Sequence, residues 1–244
     1  MQKSIISTAV ALTFVGFSLS SCGKIITIKS DKDNIEHKLD VRGSFDAIES
    51  KGVTDVKYVD GPLSVVLSAP EEIIDEISVE VKDGSLVVGM KHEGPLNGRF
   101  HSCLTVSAPG VTKFYSYGTG DFEMANLTGK DIVFETYGTG DFEAVSVKCA
   151  DFKLISAGTG DADIRTLSAD FADMSTSGTG DFEIGTIQAG RLKITAGGTG
   201  DVEIKSGRVN QADLFNSSTG DIDLRGVSIG NVNRNKNGVG DIEL

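Results

Sequence analysis

An aspartate recurs every twenty residues through the second half of the chain, with no insertion or deletion. It belongs to a short motif, first seen as Gly-Thr-Gly-Asp at 118–121, and stands at positions 121, 141, 161, 181, 201, 221 and 241. A constant period of this length indicates that each repeat is one unit stacked on its neighbours, because a single unit cannot bury its own hydrophobic face.

Apolar residues keep the same phase as the aspartates. One column follows each aspartate directly and a second lies two residues further on, with an acidic residue between them, as in Phe122-Glu123-Met124. This alternation is typical of a strand with one buried face. The sequence therefore predicts an all-β fold, a single-stranded parallel β-helix (β-solenoid) with a 20-residue repeat and about 4.8 Å between coils. Right-handed coiling is favoured.

Other repeat architectures fit less well. A leucine-rich repeat can have about twenty residues but requires a leucine pattern that this chain lacks, and a propeller blade needs about forty or more. No segment combines helical apolar spacing with capping residues, so helices are not expected.

The first forty residues differ in composition from the rest of the chain. Residues 1–21 contain the basic Lys3, an apolar stretch too short to span a bilayer, and small residues leading to Cys22, which is the pattern of a bacterial lipoprotein signal peptide. We predict that Cys22 is lipidated; the alternative is an ordinary cleaved signal peptide. Several acyl chains on one residue would anchor the chain stably to a membrane. Residues 22–40 are expected to be a polar tether.

The remainder is expected to be one β-helix domain, residues 41–244. Within it, residues 118–244 carry the regular Gly-Thr-Gly-Asp repeats. Residues 41–117 also alternate in short apolar segments, although less regularly. We expect them to form irregular coils that continue the solenoid and cap its end.

The charge balance limits the classes of partner. The chain carries 23 lysines and arginines against 35 aspartates and glutamates, a formal net charge of −12. Nucleic acid is not an expected partner, because binding phosphates requires a surplus of lysine and arginine. Cys103 and Cys149 are predicted to be free thiols, since Cys149 stands in a column otherwise held by small or apolar residues. The alternative is a disulfide, because an exported protein could oxidise them.

The motif is most simply interpreted as a corner of the coil. Its glycines would supply φ > 0 where the chain turns sharply. Its aspartate could accept hydrogen bonds from nearby backbone N–H groups, as in an Asx-turn. Threonine fills the intervening column in six repeats and the isosteric Val239 in the seventh, which predicts a buried position.

The acidic side chains of the repeats are the only candidates for a metal site. Alternation places Asp121 and Glu123 on one face, and stacking would extend them into two rows of carboxylates. Calcium prefers oxygen ligands. The calcium candidates are Asp121, Glu123, Asp141, Glu143, Asp181 and Glu183. No other cofactor and no catalytic residue is predicted.

Several features together resemble a known bacterial family. They are the lipoprotein leader, the segment FDAIESKGVTDVKYVDG at 45–61, an apolar hairpin and a proline before the first repeat, and the train of G-[ST]-G-D motifs. They are similar to the "putative auto-transporter adhesin, head GIN domain" family of Bacteroidetes-type lipoproteins. The resemblance covers about 41–244 and is most specific in its twenty-residue register. It implies a parallel β-helix and no established activity.

These observations predict a lipid-anchored protein of the cell envelope, expected to be an outer-membrane lipoprotein. Its expected role is binding, adhesin-like or structural, with a protein or glycan partner and without catalysis. The alternative is a carbohydrate-active enzyme, because parallel β-helices include polysaccharide-cleaving enzymes and paired carboxylates suit glycoside hydrolysis. A motif repeated at equal spacing favours a scaffold, since a catalytic site needs residues in unlike environments.

Overall fold

The structure is a computed structural model that describes residues 34–91 and 100–244, together with the backbone of 26–27 and 96–97. The predicted leader, Cys22 and most of the predicted tether lie outside the described residues. In the described part the strands are, in chain order, β1 Ile26–Thr27, β2 Ile35–Leu39, β3 Ala47–Ser50, β4 Asp55–Val59, β5 Ser64–Ala69, β6 Ile77–Lys82, β7 Ser85–Met90, β8 Leu96–Asn97, β9 Cys103–Ser107, β10 Lys113–Ser116, β11 Phe122–Thr128, β12 Asp131–Thr136, β13 Phe142–Ser156, β14 Ala162–Thr176, β15 Phe182–Ala196, β16 Val202–Ile204, β17 Gly207–Asn216, β18 Ile222–Asp223, β19 Val227–Lys236 and β20 Ile242–Glu243.

Helical structure is confined, within these residues, to one 3₁₀ turn at Ile74–Glu76. None of the described segments forms a helix of the length and apolar character needed to cross a bilayer.

The repeats form a parallel β-solenoid, as the sequence predicts. Strand β13 pairs in parallel with β14, and β14 with β15, with partners twenty residues apart throughout, such as Phe142 with Ala162 and Ala162 with Phe182. The same register continues through β17 to β19. Each repeat is therefore one coil, and the turn at the motif closes it before the next coil begins.

The inward columns form the core along the whole length of the coils. Phe122, Phe142, Ala162 and Phe182 lie one above the other and are at most 2% exposed. The ring centroids of Phe122 and Phe142 lie 5.0 Å apart. Burial of these columns confirms the alternation seen in the sequence, and this apolar area removed from water is the main source of stability.

The N-terminal region contributes one further coil and a cap. Strands β3 and β4 pair in parallel with β10 and β11, in the register of the repeats, although the paired residues are 66 positions apart. On its other side this first coil pairs with β7 and β9. The chain thus builds one coil, makes the cap, and returns to stack the next coil on the first.

The cap confirms the apolar hairpin expected from the sequence, which β6 and β7 form, but its other strands depart from the irregular coils that we expect. Beyond β7 and β9 the pairing becomes antiparallel, β6 with β7 and β5 with β9, and β2 pairs antiparallel with β5. Antiparallel hairpins cover the open end of the solenoid with locally connected strands, as a stacked array requires at its termini. The tether prediction is wrong for Ile35–Leu39, because this segment is a strand of the cap.

Candidate functional site

The glycines of the motif are required by the close stacking of coils. None of them has a left-handed φ; among the described residues only Asp83 and four other glycines do, at 43, 84, 110 and 207. A Cβ on Gly158 would lie 2.0 Å from the carbonyl oxygen of Gly138, and one on Gly160 would lie 2.1 Å from that of Gly140. The prediction of φ > 0 at the corner is therefore wrong, and the real constraint is the approach of one backbone to the next.

The aspartates of the motif tie successive coils together. The backbone N–H of Asp141 donates to Oδ1 of Asp121 at 2.9 Å, and the backbone N–H of Asp161 donates to Oδ1 of Asp141 at 2.8 Å. The same bond continues to Asp241, and at the other end the N–H of Asp121 donates to Asp55 of the first coil. Backbone bonding by the aspartate is confirmed, but the donor belongs to the following coil and the bond is not a local Asx-turn.

The calcium candidates lie on the outside of the solenoid. Asp121, Asp141 and Asp181 each use Oδ1 for the bond just described. Glu123 forms an ion pair with Lys57 at 2.6 Å, and Glu183 forms one with Lys205. These carboxylates favour the charged form of the lysines, since the bond to Glu123 is the main cause that raises the pKa of Lys57.

Glu143, the remaining candidate, is exposed on the same face. Within residues 34–91 and 100–244, no three His, Cys, Asp or Glu side chains come together as a metal cluster. Calcium binding remains a prediction.

The threonines of the motif face solvent. Thr119, Thr139, Thr159 and their equivalents are exposed, and Val239 in the same column is 78% exposed. The prediction of a buried column is wrong, because burial keeps alternating through the turn, so that the glycines lie inward and the threonines lie outward with the aspartates. The corner therefore presents a row of hydroxyl groups, one per coil.

Two exposed tyrosines lie beside this row. Tyr117 and Tyr137 directly precede the motif in successive coils, and each is 48% exposed. Their rings stack with centroids 5.4 Å apart and an angle of 5° between planes. Neither tyrosine was predicted as a site residue, although the residue preceding each motif could have been aligned as a column.

A shallow groove starts at Tyr137 and runs along the corner of the next three coils. Its volume is about 540 Å³, and its floor and sides are formed by Gly, Ala, Ser and Thr of residues 138–139, 157–159, 177–179 and 197–199. We call this surface, together with Tyr137, the corner groove.

Both predicted free thiols are free in the structure. Cys103 is buried in the cap, and Cys149 is partly buried at the bend of a coil. Burial, with a further effect of the nearby Asp151, raises the pKa of Cys149 to about 12. This thiol is therefore protonated at neutral pH and a poor nucleophile.

The comparisons with known proteins identify the family. The sequence model of the "putative auto-transporter adhesin, head GIN domain" family matches residues 44–205 and 153–244, which together span most of the chain. The chain belongs to this family. No curated protein matches it.

Solved structures share the fold of this family member. A putative adhesin from Bacteroides fragilis matches with a TM-score of 0.74 and 20% identity, over 88% of this chain and 99% of its own. A putative lipid binding protein from Parabacteroides distasonis matches with a TM-score of 0.71 and 16% identity, over 88% and 99%. A putative adhesin from the same species gives 0.70 and 18%, over 90% and 99%. At these low sequence identities, the structural similarity establishes the fold alone.

Proposed function

We propose that this protein is a lipid-anchored component of the cell envelope whose solenoid binds an external partner in an adhesin-like manner. The observation that carries the proposal is the repeated outer surface. Side chains project in register from successive coils and form open grooves such as the corner groove. A surface of this kind suits an extended partner that makes the same contact several times, so that weak contacts add up.

The roles of the acidic residues support binding over catalysis. A general acid and a nucleophile need unlike environments that separate their pKa values. The motif aspartates from Asp121 to Asp221 all make the same bond to the following coil. A carbohydrate-active enzyme is the alternative, and it would require unlike polar groups converging in one groove.

Family membership and the names of similar structures support the adhesin-like assignment. Two of the solved structures cited above are called putative adhesins and one a putative lipid binding protein. Anchoring through Cys22 fits such a role, because a lipidated N-terminus holds the chain at a membrane surface. We propose the outer membrane as its location.

The anchor is tested by metabolic labelling of cells with a fatty-acid analogue. The wild-type chain is expected to incorporate label and to fractionate with the outer membrane. Cys22→Ala is expected to lose the label. Unlabelled wild-type protein would refute lipid anchoring. Protease treatment of intact cells then shows whether the solenoid faces the outside, through digestion of wild-type protein in unbroken cells.

Binding is tested with the full-length chain in mild detergent against immobilised polysaccharides and extracellular matrix proteins. Retention on at least one surface, competed by the same ligand in solution, is the expected result. Polysaccharide that is shortened during incubation would favour the enzyme instead. Failure to bind any surface would contradict the adhesin-like role.

A further inference from the structure

The two stacked tyrosines form an aromatic column that is open at one end. On the far side of Tyr117 the Lys51 ammonium lies 5.8 Å from the ring centroid. On the near side Tyr117 covers one face of Tyr137. The order along the column is therefore Lys51, Tyr117, Tyr137, and then the rest of the corner groove.

The next residue in this column leaves the outer face of Tyr137 uncovered. Ala157 stands where a third tyrosine would continue the stack, and Ser177 and Gly197 follow in the next coils. At about 4.8 Å per coil, these three small residues open a space roughly 14 Å long. A flat ring that takes the place of a third tyrosine side chain would lie above Ala157 and parallel to Tyr137.

The orientation of Tyr137 is fixed by polar contacts at its edge. Its hydroxyl donates to Oε2 of Glu135 at 3.1 Å, and the ammonium of Lys153 donates to Oε1 of the same carboxylate at 2.9 Å. The bond to Glu135 is the main cause that raises the pKa of Tyr137, so the phenol stays neutral. A ring held in one orientation loses little entropy when a ligand stacks on it.

We propose that the corner groove is a carbohydrate-binding site in which a neutral pyranose ring stacks on the open face of Tyr137. This inference rests on the proposed binding function and names its ligand class. The aliphatic C–H groups on one face of a pyranose meet the negative π-face of the tyrosine. The sugar hydroxyls then meet the exposed hydroxyls of Thr139, Thr159 and Ser177.

Charge selects neutral sugars over acidic ones. The chain carries a net charge of −12, and the motif aspartates lie two residues beyond the exposed threonines, on the outside of the same corner. An anionic polysaccharide would be repelled by this row of carboxylates at moderate ionic strength.

The composition of the groove favours a glycan over a protein. The core of a protein interface is enriched in large aromatic residues, Met and Arg. Beyond Tyr137, the groove offers only Gly, Ala, Ser and Thr. Such a surface supplies hydroxyl and backbone contacts with one apolar platform, which matches a polar ligand with one apolar face.

The experiment measures binding of the full-length chain in mild detergent to chitohexaose, cellohexaose and mannohexaose, with heparin as the anionic comparison. Wild-type protein is expected to bind at least one neutral hexasaccharide more tightly than heparin. The double variant Tyr117→Ala with Tyr137→Ala removes both rings of the stack, so that no second ring can serve as the platform, and is expected to raise Kd about tenfold, the size of one aromatic contact.

Ala157→Leu is the decisive variant, because it keeps both tyrosines and covers the open face of Tyr137 without offering a new flat ring. Residue 157 is exposed, so the variant is expected to fold, and it is expected to lose binding at least as fully as the double alanine variant. Tyr137→Trp keeps a flat platform and introduces the sole tryptophan of the chain. Its fluorescence is expected to change on addition of the sugar that binds.

The matched control is Val145→Ala, an exposed residue of another column that leaves the groove intact; its Kd is expected to equal the wild-type value. Equal binding by wild type, the double alanine variant and Ala157→Leu would overturn the proposed site, as would the absence of binding to all three neutral sugars. If matrix proteins still bind in the second case, the adhesin-like function survives and only its ligand class is wrong.

Discussion

The same corner is built in two different ways in the repeats and in the first coil, which faces the cap. Where Gly118 stacks on Gly52, an added Cβ would lie 2.0 Å from the Gly52 carbonyl oxygen, whereas a Cβ on Gly52 itself would meet nothing closer than 3.5 Å. At the second motif position the first coil has Thr54, whose hydroxyl is 3.0 Å from that of Ser102 in the cap. Glycine thus avoids a clash where one repeat stacks on the carbonyl oxygen of the coil before it, whereas the first coil, which faces the cap, has room for a side chain at this corner.

One coil near the C-terminal end modifies the corner in a third way. Its turn reads Asn216-Ser217-Ser218, where the preceding coil has Ala196-Gly197-Gly198. Asn216 donates to the carbonyls of Gly220 and Asp241, and accepts from the backbone N–H and the hydroxyl of Ser218. The Ser218 side chain is accommodated at this corner because the buried amide of Asn216 forms hydrogen bonds with the polar groups around it.

The largest effect is expected from adding a methyl group to the corner. Gly118→Ala places the new carbon against the Gly52 backbone, which cannot move without breaking the ladder, and is expected to destabilise the fold by about 3 kcal/mol or more. Gly52→Ala adds the same group at the same position one layer earlier, where contacts are ordinary. It should be neutral or slightly stabilising, because it restricts the unfolded chain. Urea unfolding measures both, and equal costs would refute the stacking argument.

The modified corner gives the next largest effect. Asn216→Ala removes the partners of several buried polar groups and is expected to cost about 2–3 kcal/mol. The double variant Asn216→Ala with Ser218→Gly recreates the residues found at 196 and 198, and should recover at least half of that loss. A double-mutant cycle by urea unfolding tests this coupling. Purely additive costs would show that the two residues act independently.

A smaller effect is expected from the aspartate ties. Asp161→Ala removes the acceptor for the Asp181 N–H at 2.8 Å. The expected cost is about 1–2 kcal/mol, since the bond is charge-assisted but solvent can replace it. Asp163→Ala is the matched control, on the same face of the same coil; it should change stability by less than about 0.5 kcal/mol. Asp161→Asn keeps an acceptor oxygen, so its loss of stability should lie between those of Asp161→Ala and Asp163→Ala. A loss as large as that of Asp161→Ala would show that the negative charge matters and the hydrogen bond does not.

The buried hydroxyls of the coils are expected to be dispensable. Ser116, Thr136, Ser156 and Thr176 are buried, and their hydroxyl oxygens have no hydrogen-bond partner. In the first coil the equivalent Ser50 hydroxyl contacts the Thr54 carbonyl at 3.5 Å. Ser156→Ala should stabilise the coils by up to about 1 kcal/mol, because an unsatisfied buried group is removed. Thermal unfolding at several pH values measures the change in stability, and a clear loss would show that the Ser156 hydroxyl makes a hydrogen bond.

The smallest effect concerns the acidic rows. Glu143 is exposed between Glu123 and Asp163 in the neighbouring coils, so added NaCl should raise Tm by a few degrees through screening. Glu143→Gln should reduce that rise. Calcium chloride at matched ionic strength tests the calcium prediction: a larger rise than with NaCl, abolished by chelator, would support it, and an equal rise would contradict it.

Most of the fold was predictable because the repeat is regular. Columns such as Phe122, Phe142 and Phe182 alternate with acidic residues, and alternation within a strand fixes which side chains point inward. The cap was predicted less well. Its antiparallel strands, including Ile35–Leu39, have no period that links them to their partners.

Within the candidate site, prediction failed at the turn. Thr119 and its equivalents were expected inside because valine replaces threonine at 239, yet the column is exposed. Tyr117 and Tyr137 were not singled out, because their significance depends on stacking against each other and on the small Ala157 that follows. Neither property belongs to one repeat considered alone.

Spacing along a single strand is enough to predict the period of the solenoid, the inward columns and the acidic character of its outer face. The need for glycine in the motif, the bonding partner of its aspartate and the open face of Tyr137 depend on contacts between coils. These features arise between coils, from atoms twenty or 66 residues apart in the chain that the stacking register brings within a few ångströms.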